Sequence, residues 1–539
     1  MNDNNSIDID QQQQQQGHLK CPVTSGVVLL VDSVNSMINP DHGDIVIGKS
    51  EQEQVEQHKT FFKLHRMNKN ITKSNVMASY LGSFLSICFF VFINVAQPFI
   101  LNSLGIPDNQ QGNVSGNLTF YNELTILIAS HAWGVASDRY GRRIVYTLGM
   151  IIVGIGLLLY PFAKSLSVLI IFRLLFGIGA ASCSSMLSAV LGDYVLFQDR
   201  GRASGFLGFA AGGGAVLGSL VLLKIPTLLQ TSFHLSTELS GQLTYVLTAV
   251  MAFVGALLLF LFLKKFNPRD SGTILQKHTR NILVIFKEGL KAGKRPVLAL
   301  AYGSGFIARG DSAIATTFLS LWIYNYALSN NGGNKDQALS SSGTISGIAQ
   351  TCALFFALIA GYMMDKLNRV FAMVLLALIG CSGYFILAFS NDPLSARFFI
   401  GACIIGCAET GMVVSSTSLV AQESPPKYRG SVSGFFSQCG CVGILIASKV
   451  GGMYFDTWNG FPFALFGVFS AILSIWSLIV YFMTQFKSNR SPNFFKNIYL
   501  NMITNDDKEI ISPPTPDEKL SNPLINKDDQ EVIDSNQNL

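Results

Sequence analysis

Charge is what this chain has least of. Asp, Glu, Lys and Arg make up 13% of its 539 residues, against 49% hydrophobic residues, where soluble domains carry about a quarter charged. A mean hydropathy of +0.38 excludes an ordinary soluble protein of this length. No stretch interleaves basic and aromatic residues, so nucleic acid is not an expected partner. No Walker-type phosphate loop occurs, which removes ATP as the expected driving force. The first 70 residues are polar, so no cleavable leader is expected and the first apolar run acts as its own insertion signal. Disulfides are not expected either. Of nine cysteines, all but Cys21 fall inside apolar runs, where sulfur fills gaps. Cys439-x-Cys441 lacks zinc spacing. Neither cofactor nor metal is anticipated, and no residue constellation suggests an enzyme.

Apolar runs are what the chain has in abundance. A spanning helix needs about 20 apolar residues. Such windows sit at approximately 76–101, 118–137, 144–162, 167–191, 203–223, 242–263, 297–325, 341–364, 370–390, 394–419, 433–454 and 460–482. They imply an all-α integral membrane protein of twelve spans in two six-helix bundles, 75–263 and 297–485. A basic linker, 264–296, joins the bundles. Residues 1–74, with glutamines from Gln11 to Gln16, and 486–539, with Ser512-Pro513 and Thr515-Pro516, are expected to be disordered tails.

Lys and Arg fix the orientation. Arg139, Arg142, Arg143, Arg200, Arg202, Lys366, Arg369, Lys427, Arg429 and the linker cluster share one side, while the other holds little beyond Lys164, Lys224 and Lys335. The positive side is cytosolic, which puts both termini there. The sequons at Asn113 and Asn117 then fall between spans 1 and 2 on the outer side, where glycosylation is expected; Asn70 stays bare.

The halves repeat one another. Gly134–Arg143 (GVASDRYGRR), between spans 2 and 3, has a weaker copy in Gly361–Arg369 (GYMMDKLNR), between spans 8 and 9. Arg173-Leu-Leu-Phe-Gly177 in span 4 matches Arg397-Phe-Phe-Ile-Gly401 in span 10, and Arg200–Phe206 matches Arg429–Phe435. Three landmarks in one order indicate duplication, and duplicated transporter halves hold solute near the midplane between them.

On these residues the chain resembles a major facilitator superfamily transporter over about 75–485. Gly134, Asp138, Arg139, Gly141, Arg142 and Arg143 match the family's loop 2–3 signature, and Gly361, Asp365, Lys366 and Arg369 match its degenerate loop 8–9 copy. Arg173 with Gly177 and Gly179 resembles the span-4 motif associated with proton coupling. The span-5 glycine run, Gly208 to Gly218, is similar to the antiporter signature but lacks its proline, and close helix packing explains it equally well. The resemblance implies a cytosolic latch: Asp138 accepts hydrogen bonds at the start of span 11 near Ser431, and Arg142 pairs with Asp193. Gly134 would let span 2 approach its neighbour closely. The plain alternative is positive-inside anchoring by Arg139, Arg142 and Arg143.

Ionisable residues inside spans cost about 2.5–3.5 kcal/mol on insertion scales, so they mark a pathway or a partner. Arg173, Arg309, Asp311, Arg397 and Glu409 qualify. At about 1.5 Å per residue, Asp311 and Arg397 lie at similar depth in the outer half, which favours that ion pair over Arg309 with Glu409. Laying span 7 over span 1 places Asn94 or Gln97 opposite Arg173. Arg309 and Asp311 point to opposite sides of a regular helix unless Gly310 unwinds it. His131 reads as a satisfied packing residue and Lys449 as one snorkelling outward.

The expected function is alternating-access transport of a small organic solute by a monomer in the lipid bilayer, with protons as the coupling ion. Arg173 and Arg309 hint at an anionic or zwitterionic solute. A non-transporting sensor or scaffold that kept the fold is the alternative, and the intact loop 2–3 signature speaks against it. Leu29-Leu30 and Leu524-Ile525 lack the acidic residue of a dileucine signal, which leaves the plasma membrane and an endosomal or lysosomal membrane equally open.

Overall fold

The computed structural model describes residues 60–61, 65–68, 70–196, 199–265, 282–330, 334–424 and 429–490. The glutamine tract, the leucine pairs, Lys427, the Ser/Thr-Pro sites and most of the linker lie outside these residues. Twelve spans occupy the described part. Span 1 is Lys73–Val95 running on through Gln97–Ser103, span 2 Asp108–Tyr140, span 3 Arg142–Leu159, span 4 Leu166–Tyr194, span 5 Arg200–Val216 running on to Ile225–Phe233, and span 6 Thr237–Phe262. Span 7 is Pro296–Ala313 running on to Leu319–Asn330, span 8 Lys335–Lys366, span 9 Arg369–Ala388, span 10 Ala396–Glu423, span 11 Arg429–Phe455 and span 12 Phe461–Arg490.

Local chemistry sets many of the boundaries. Thr72 and Asn75 form a reciprocal capping box at span 1, and the Ser165, Ser236, Asn334, Asn368 and Ser395 side chains cap spans 4, 6, 8, 9 and 10. Gly141 turns span 2 into span 3 at φ +92°, a conformation that only glycine takes without strain. Ten of the described helices are long and apolar enough to cross a bilayer; spans 2 and 7 are not among them. Polar residues lower the hydropathy of both, among them Asn113, Asn117 and Asn122 in span 2 and Arg309, Asp311 and Ser312 in span 7.

Each half packs its own buried core, and the first core also takes in Tyr324, Ala327, Ala338 and Leu339 from the ends of spans 7 and 8. The halves therefore meet at one end of the molecule, the far face. There a Cβ on Gly116 of span 2 would lie 2.8 Å from the Gly452 Cα of span 11, and one on Gly343 of span 8 would lie 2.8 Å from the Ser219 carbonyl of span 5. The opposite end, the loop face, carries both the 134–143 and 361–369 turns. Gly134, Gly205, Gly208 and Gly361 have no neighbour within 4 Å of where a Cβ would sit. Ile128, Leu358 and Tyr362 are more than 60% exposed there.

Several expectations need correction. Span 2 starts ten residues before its apolar window, so Asn113 and Asn117 lie on a helix and not in a loop. Helical hydrogen bonds carry the chain through this polar stretch, and Asn117 accepts a 2.7 Å bond from Lys449 Nζ in the seam between the halves. Lys449 thus faces span 2 and does not snorkel. Part of the N-terminal tail is folded: Thr60–Phe61 pairs with His65–Arg66, and Phe61, Met67 and Ile71 are buried. Apolar side chains and an Arg66–Asp199 ion pair of 2.9 Å hold it against the turn after span 4. Span 7 is helical through Gly310, with a π-helical turn at Ile314–Phe318 instead of an unwound segment. Gly310 is needed for packing, since a Cβ there would strike the Phe466 ring and lie 3.1 Å from the Gly443 carbonyl.

Candidate functional site

The π-turn of span 7 gives the seam its polar floor. One inserted residue per turn re-aims the side chains around it, and Thr316 and Thr317 meet Asn94 of span 1 and Thr119 of span 2, each at 3.4 Å. These contacts join the two halves just on the far-face side of the in-membrane charges. Below them, toward the loop face, the space between the halves opens.

In the N-terminal half, Arg173 of span 4 is 1% exposed. Its Nη2 donates to Asn94 Oδ1, and its guanidinium lies 5.8 Å from the Phe176 ring centre. Nε and Nη1 find no hydrogen-bond acceptor. Tyr160 and Tyr245, stacked at 5.8 Å, stand close enough to act electrostatically on the guanidinium. Gln97 faces the Tyr160 hydroxyl at 3.5 Å, not Arg173. Arg173 is therefore a core residue of its half and not a free cation in the cavity.

The C-terminal half repeats the arrangement with acidic groups. Tyr384 of span 9 donates a 2.8 Å hydrogen bond to Asp311 Oδ1, as Tyr160 of span 3 does to the matching Gln97. Asp311 is also 1% exposed, and its Oδ2 has no partner. An unsatisfied buried oxygen costs about 1–3 kcal/mol. Glu409 of span 10 accepts from Ser312 Oγ at 2.6 Å and from Gln350 Nε2 at 3.4 Å.

The expected Asp311–Arg397 pair does not form. Arg397 is exposed at the outside of span 10, and Asp311 turns inward to Tyr384. Depth along the helix does not decide pairing, because the two side chains leave their helices in different directions. Arg309, two residues from Asp311 on an unbroken helix, points the other way and is exposed to the cavity. It lies within Coulombic range of Glu409, and also of Glu123 on span 2. Glu123 was not among the expected site residues. Its signal was available: it is the one acidic residue in the span-2 window.

On the loop face, Arg142 reaches Asp193 at 3.0 Å and Asp138 at 2.6 Å. Asp138 is 66% exposed, and among the described residues its ion-pair partner is Arg142 and not span 11. Ser431, at the start of span 11, instead donates to Glu288 of the linker helix Ile282–Ala292 at 2.7 Å. Gly134 has open space where a close approach was expected, because the halves are parted at this end. Arg143 lies over the Phe260 ring at 4.3 Å, Arg139 over Tyr140 at 5.7 Å, and Lys366 over Tyr362 at 6.0 Å. Arg369 opens span 9 behind its Asn368 cap, and Asp365 closes span 8 on the same face. His131 bonds the Leu127 carbonyl at 2.9 Å and is exposed to the opening. Among the described residues no group of His, Cys, Asp or Glu is placed to hold a metal.

Comparison with known proteins places this geometry. The profile described as Major Facilitator Superfamily matches residues 79–448 and 312–503. The magnetosome protein MamH of Paramagnetospirillum magneticum is 27% identical over 411 residues, covering 74% of this chain and 91% of that one. The multidrug resistance protein MdtG of Salmonella typhi is 26% identical over 359 residues, covering 65% and 82%. In fold the chain is similar to a bacterial homolog of the human lysosomal transporter Spinster in an inward-facing, unoccupied conformation (TM-score 0.58, 17% identity, 79% of this chain and 100% of that one). It is also similar to the xylose transporter XylE from E. coli in an inward-open conformation (TM-score 0.56, 16% identity, 75% and 95%).

Proposed function

The chain belongs to the major facilitator superfamily and is a multi-pass membrane transporter, and from that premise we propose that it moves a small organic solute by alternating access, coupled to protons. With the basic loop face in the cytosol, the form described here is inward-open. The observation that carries the reading is the asymmetry along one pathway. Asn94–Thr316 and Thr119–Thr317 close the seam above the charged residues, and Gly134 and Gly361 stand clear of any neighbour below them.

The charge balance refines the solute class. Among the described residues, Arg309 is the exposed guanidinium within Coulombic range of both Glu123 of one half and Glu409 of the other. With Arg173 withdrawn into its core, two carboxylates face one guanidinium. This supports a zwitterion, its anionic group on Arg309 and its cationic group on Glu123, over a simple anion. Asp311, buried with one free oxygen and a tyrosine donor, is the group suited to carry a proton between the two faces.

Purified full-length protein in liposomes, incubated with a fractionated metabolite extract, tests the reading by mass spectrometry of the lumen. Saturable, protein-dependent accumulation of a zwitterionic compound, raised by an imposed pH gradient and made gradient-independent by Asp311→Asn, is expected. Accumulation that ignores the gradient in the unmodified protein would refute proton coupling. Absence of any protein-dependent accumulation would refute transport of a solute in that extract class.

A further inference from the structure

At the far face, the helix pair formed by spans 2 and 11 is joined by the Lys449–Asn117 hydrogen bond and, at its outer end, by a carboxylate. Asp456, the residue directly after span 11, accepts the Gly112 N–H on Oδ1 at 2.7 Å and the Asn113 N–H on Oδ2 at 2.9 Å. Both donors belong to the second turn of span 2, past the N–H groups that a helix start leaves free, so it is these two hydrogen bonds that tie the end of span 11 to span 2. Asp456 reaches them only because residue 112 is glycine: a Cβ there would lie 2.6 Å from Asp456 Oδ1 and 2.5 Å from the Phe455 ring. One turn deeper, Gly116 lets the same two helices touch at the Ser448 carbonyl and Gly452. At the other end of this pair, Asp138 near the end of span 2 stands 66% exposed, and the start of span 11 is covered by the linker helix, through Ser431 and Glu288.

We propose that spans 2 and 11 work as a see-saw with one carboxylate for each closed state, and that Asp456 is the positioning residue that holds the far face shut. Asp456 ties the end of span 11 to the second turn of span 2 in the form described here. The latch implied by the loop 2–3 resemblance gives Asp138 a counterpart role at the opposite ends of the same two helices when the loop face closes. The two contacts exclude each other because both helices are stiff and cross once. This inference rests on the alternating-access reading and adds to it the residues that set its conformational balance.

The test uses full-length protein in liposomes with genetically encoded spin labels. One pair, at positions 109 and 457, reports the far face; a second, at 135 and 433, reports the loop face. Residues Asn109, Thr457, Val135 and Ser433 are all exposed and outside the contacts described. In the unmodified protein the far-face distance should be mostly short and the loop-face distance mostly long. Asp456→Ala removes both acceptors and should shift the populations about tenfold toward a long far-face and a short loop-face distance. Gly112→Ala, which displaces the carboxylate without removing it, should act in the same direction. Asp456→Asn keeps one acceptor at unchanged size and should shift the populations less; it alone decides the matter if the alanine variants do not fold.

A Gly116→Leu wedge separates two kinds of failure. If the wedge lengthens the far-face distance and shortens the loop-face distance while every Asp456 and Gly112 variant matches the unmodified protein, the Asp456 assignment is overturned and alternating access stands. If the wedge opens the far face and the loop face does not close in response, the alternating-access reading itself fails.

Discussion

The most exacting prediction concerns Asn94. Arg173 is a full charge enclosed by the N-terminal half, with Asn94 Oδ1 accepting from Nη2, the Tyr160 hydroxyl close by, and Nε and Nη1 without an acceptor. Asn94→Ala takes that acceptor away. A hydrogen bond to a charged group contributes about 1.5–3 kcal/mol, and stranding a buried charge costs about 3–5 kcal/mol. The weak 3.4 Å contact from Asn94 to Thr316 adds little. A net loss of about 2–3 kcal/mol is expected, which for a unit of 150–250 residues lowers the melting temperature by about 4–12 °C. Asn94→Asp has the opposite sign. It places a carboxylate at the same reach as the amide oxygen, converts a one-sided charge into an ion pair, and should match or exceed the unmodified protein. Scanning fluorimetry of detergent-purified protein near neutral pH measures both. If Asn94→Ala melts with the unmodified protein, or Asn94→Asp melts below Asn94→Ala, Arg173 is not held as described.

Three further outcomes follow from separate contacts. Gly443→Ala would bring a Cβ within 2.9 Å of the Phe306 carbonyl carbon, so overpacking of spans 7 and 11 should cost about 1–3 kcal/mol, read as a lower melting temperature. Arg142→Ala breaks pairs whose side chains are 27–66% exposed; stability should change by less than about 1 kcal/mol, whereas the spin-label populations should move, and unchanged populations would count against a latch there. Hydrogen bonds from Arg66 hold the Asp199 carboxyl below its ordinary value of 3.8. Since a depressed carboxyl stabilises only while ionised, that contribution is complete above about pH 4–5 and fades as pH falls through the lowered value. Protection from hydrogen exchange at residues 65–68, taken relative to the free-peptide rate at each pH, should fall below that window and hold steady between pH 8 and 6.

How far the site was legible depended on direction more than depth. The ionisable residues of span 7 declared themselves as costly groups in an apolar run, and Asn94 was one of two residues placed opposite Arg173 by the internal repeat. The Arg142–Asp193 pair lies where the loop 2–3 resemblance put it. Tyr160 and Tyr384 escaped notice because a tyrosine in a span reads as ordinary apolar bulk until its hydroxyl is seen to face Gln97 or Asp311. Asp456 escaped because it sits past the end of an apolar window, where an acidic residue is commonplace. The polar stretch at the start of span 2 looked like a loop by composition. Only its packing against span 11 shows why it is a helix.

Composition and periodicity by themselves determined that the chain is a twelve-span membrane protein built of two related halves, because the bilayer imposes span length and forbids unpaired backbone. Charge placement determined which loops share a face. Tertiary structure alone decided which end of the seam is shut, whether Arg309 or Asp311 faces the cavity, and which carboxylate meets which helix start. Those choices turn on helix rotation and on the tilt of one half against the other. A single sequence must satisfy every state of the cycle, so it cannot specify which state is populated; the packed contacts of one state do.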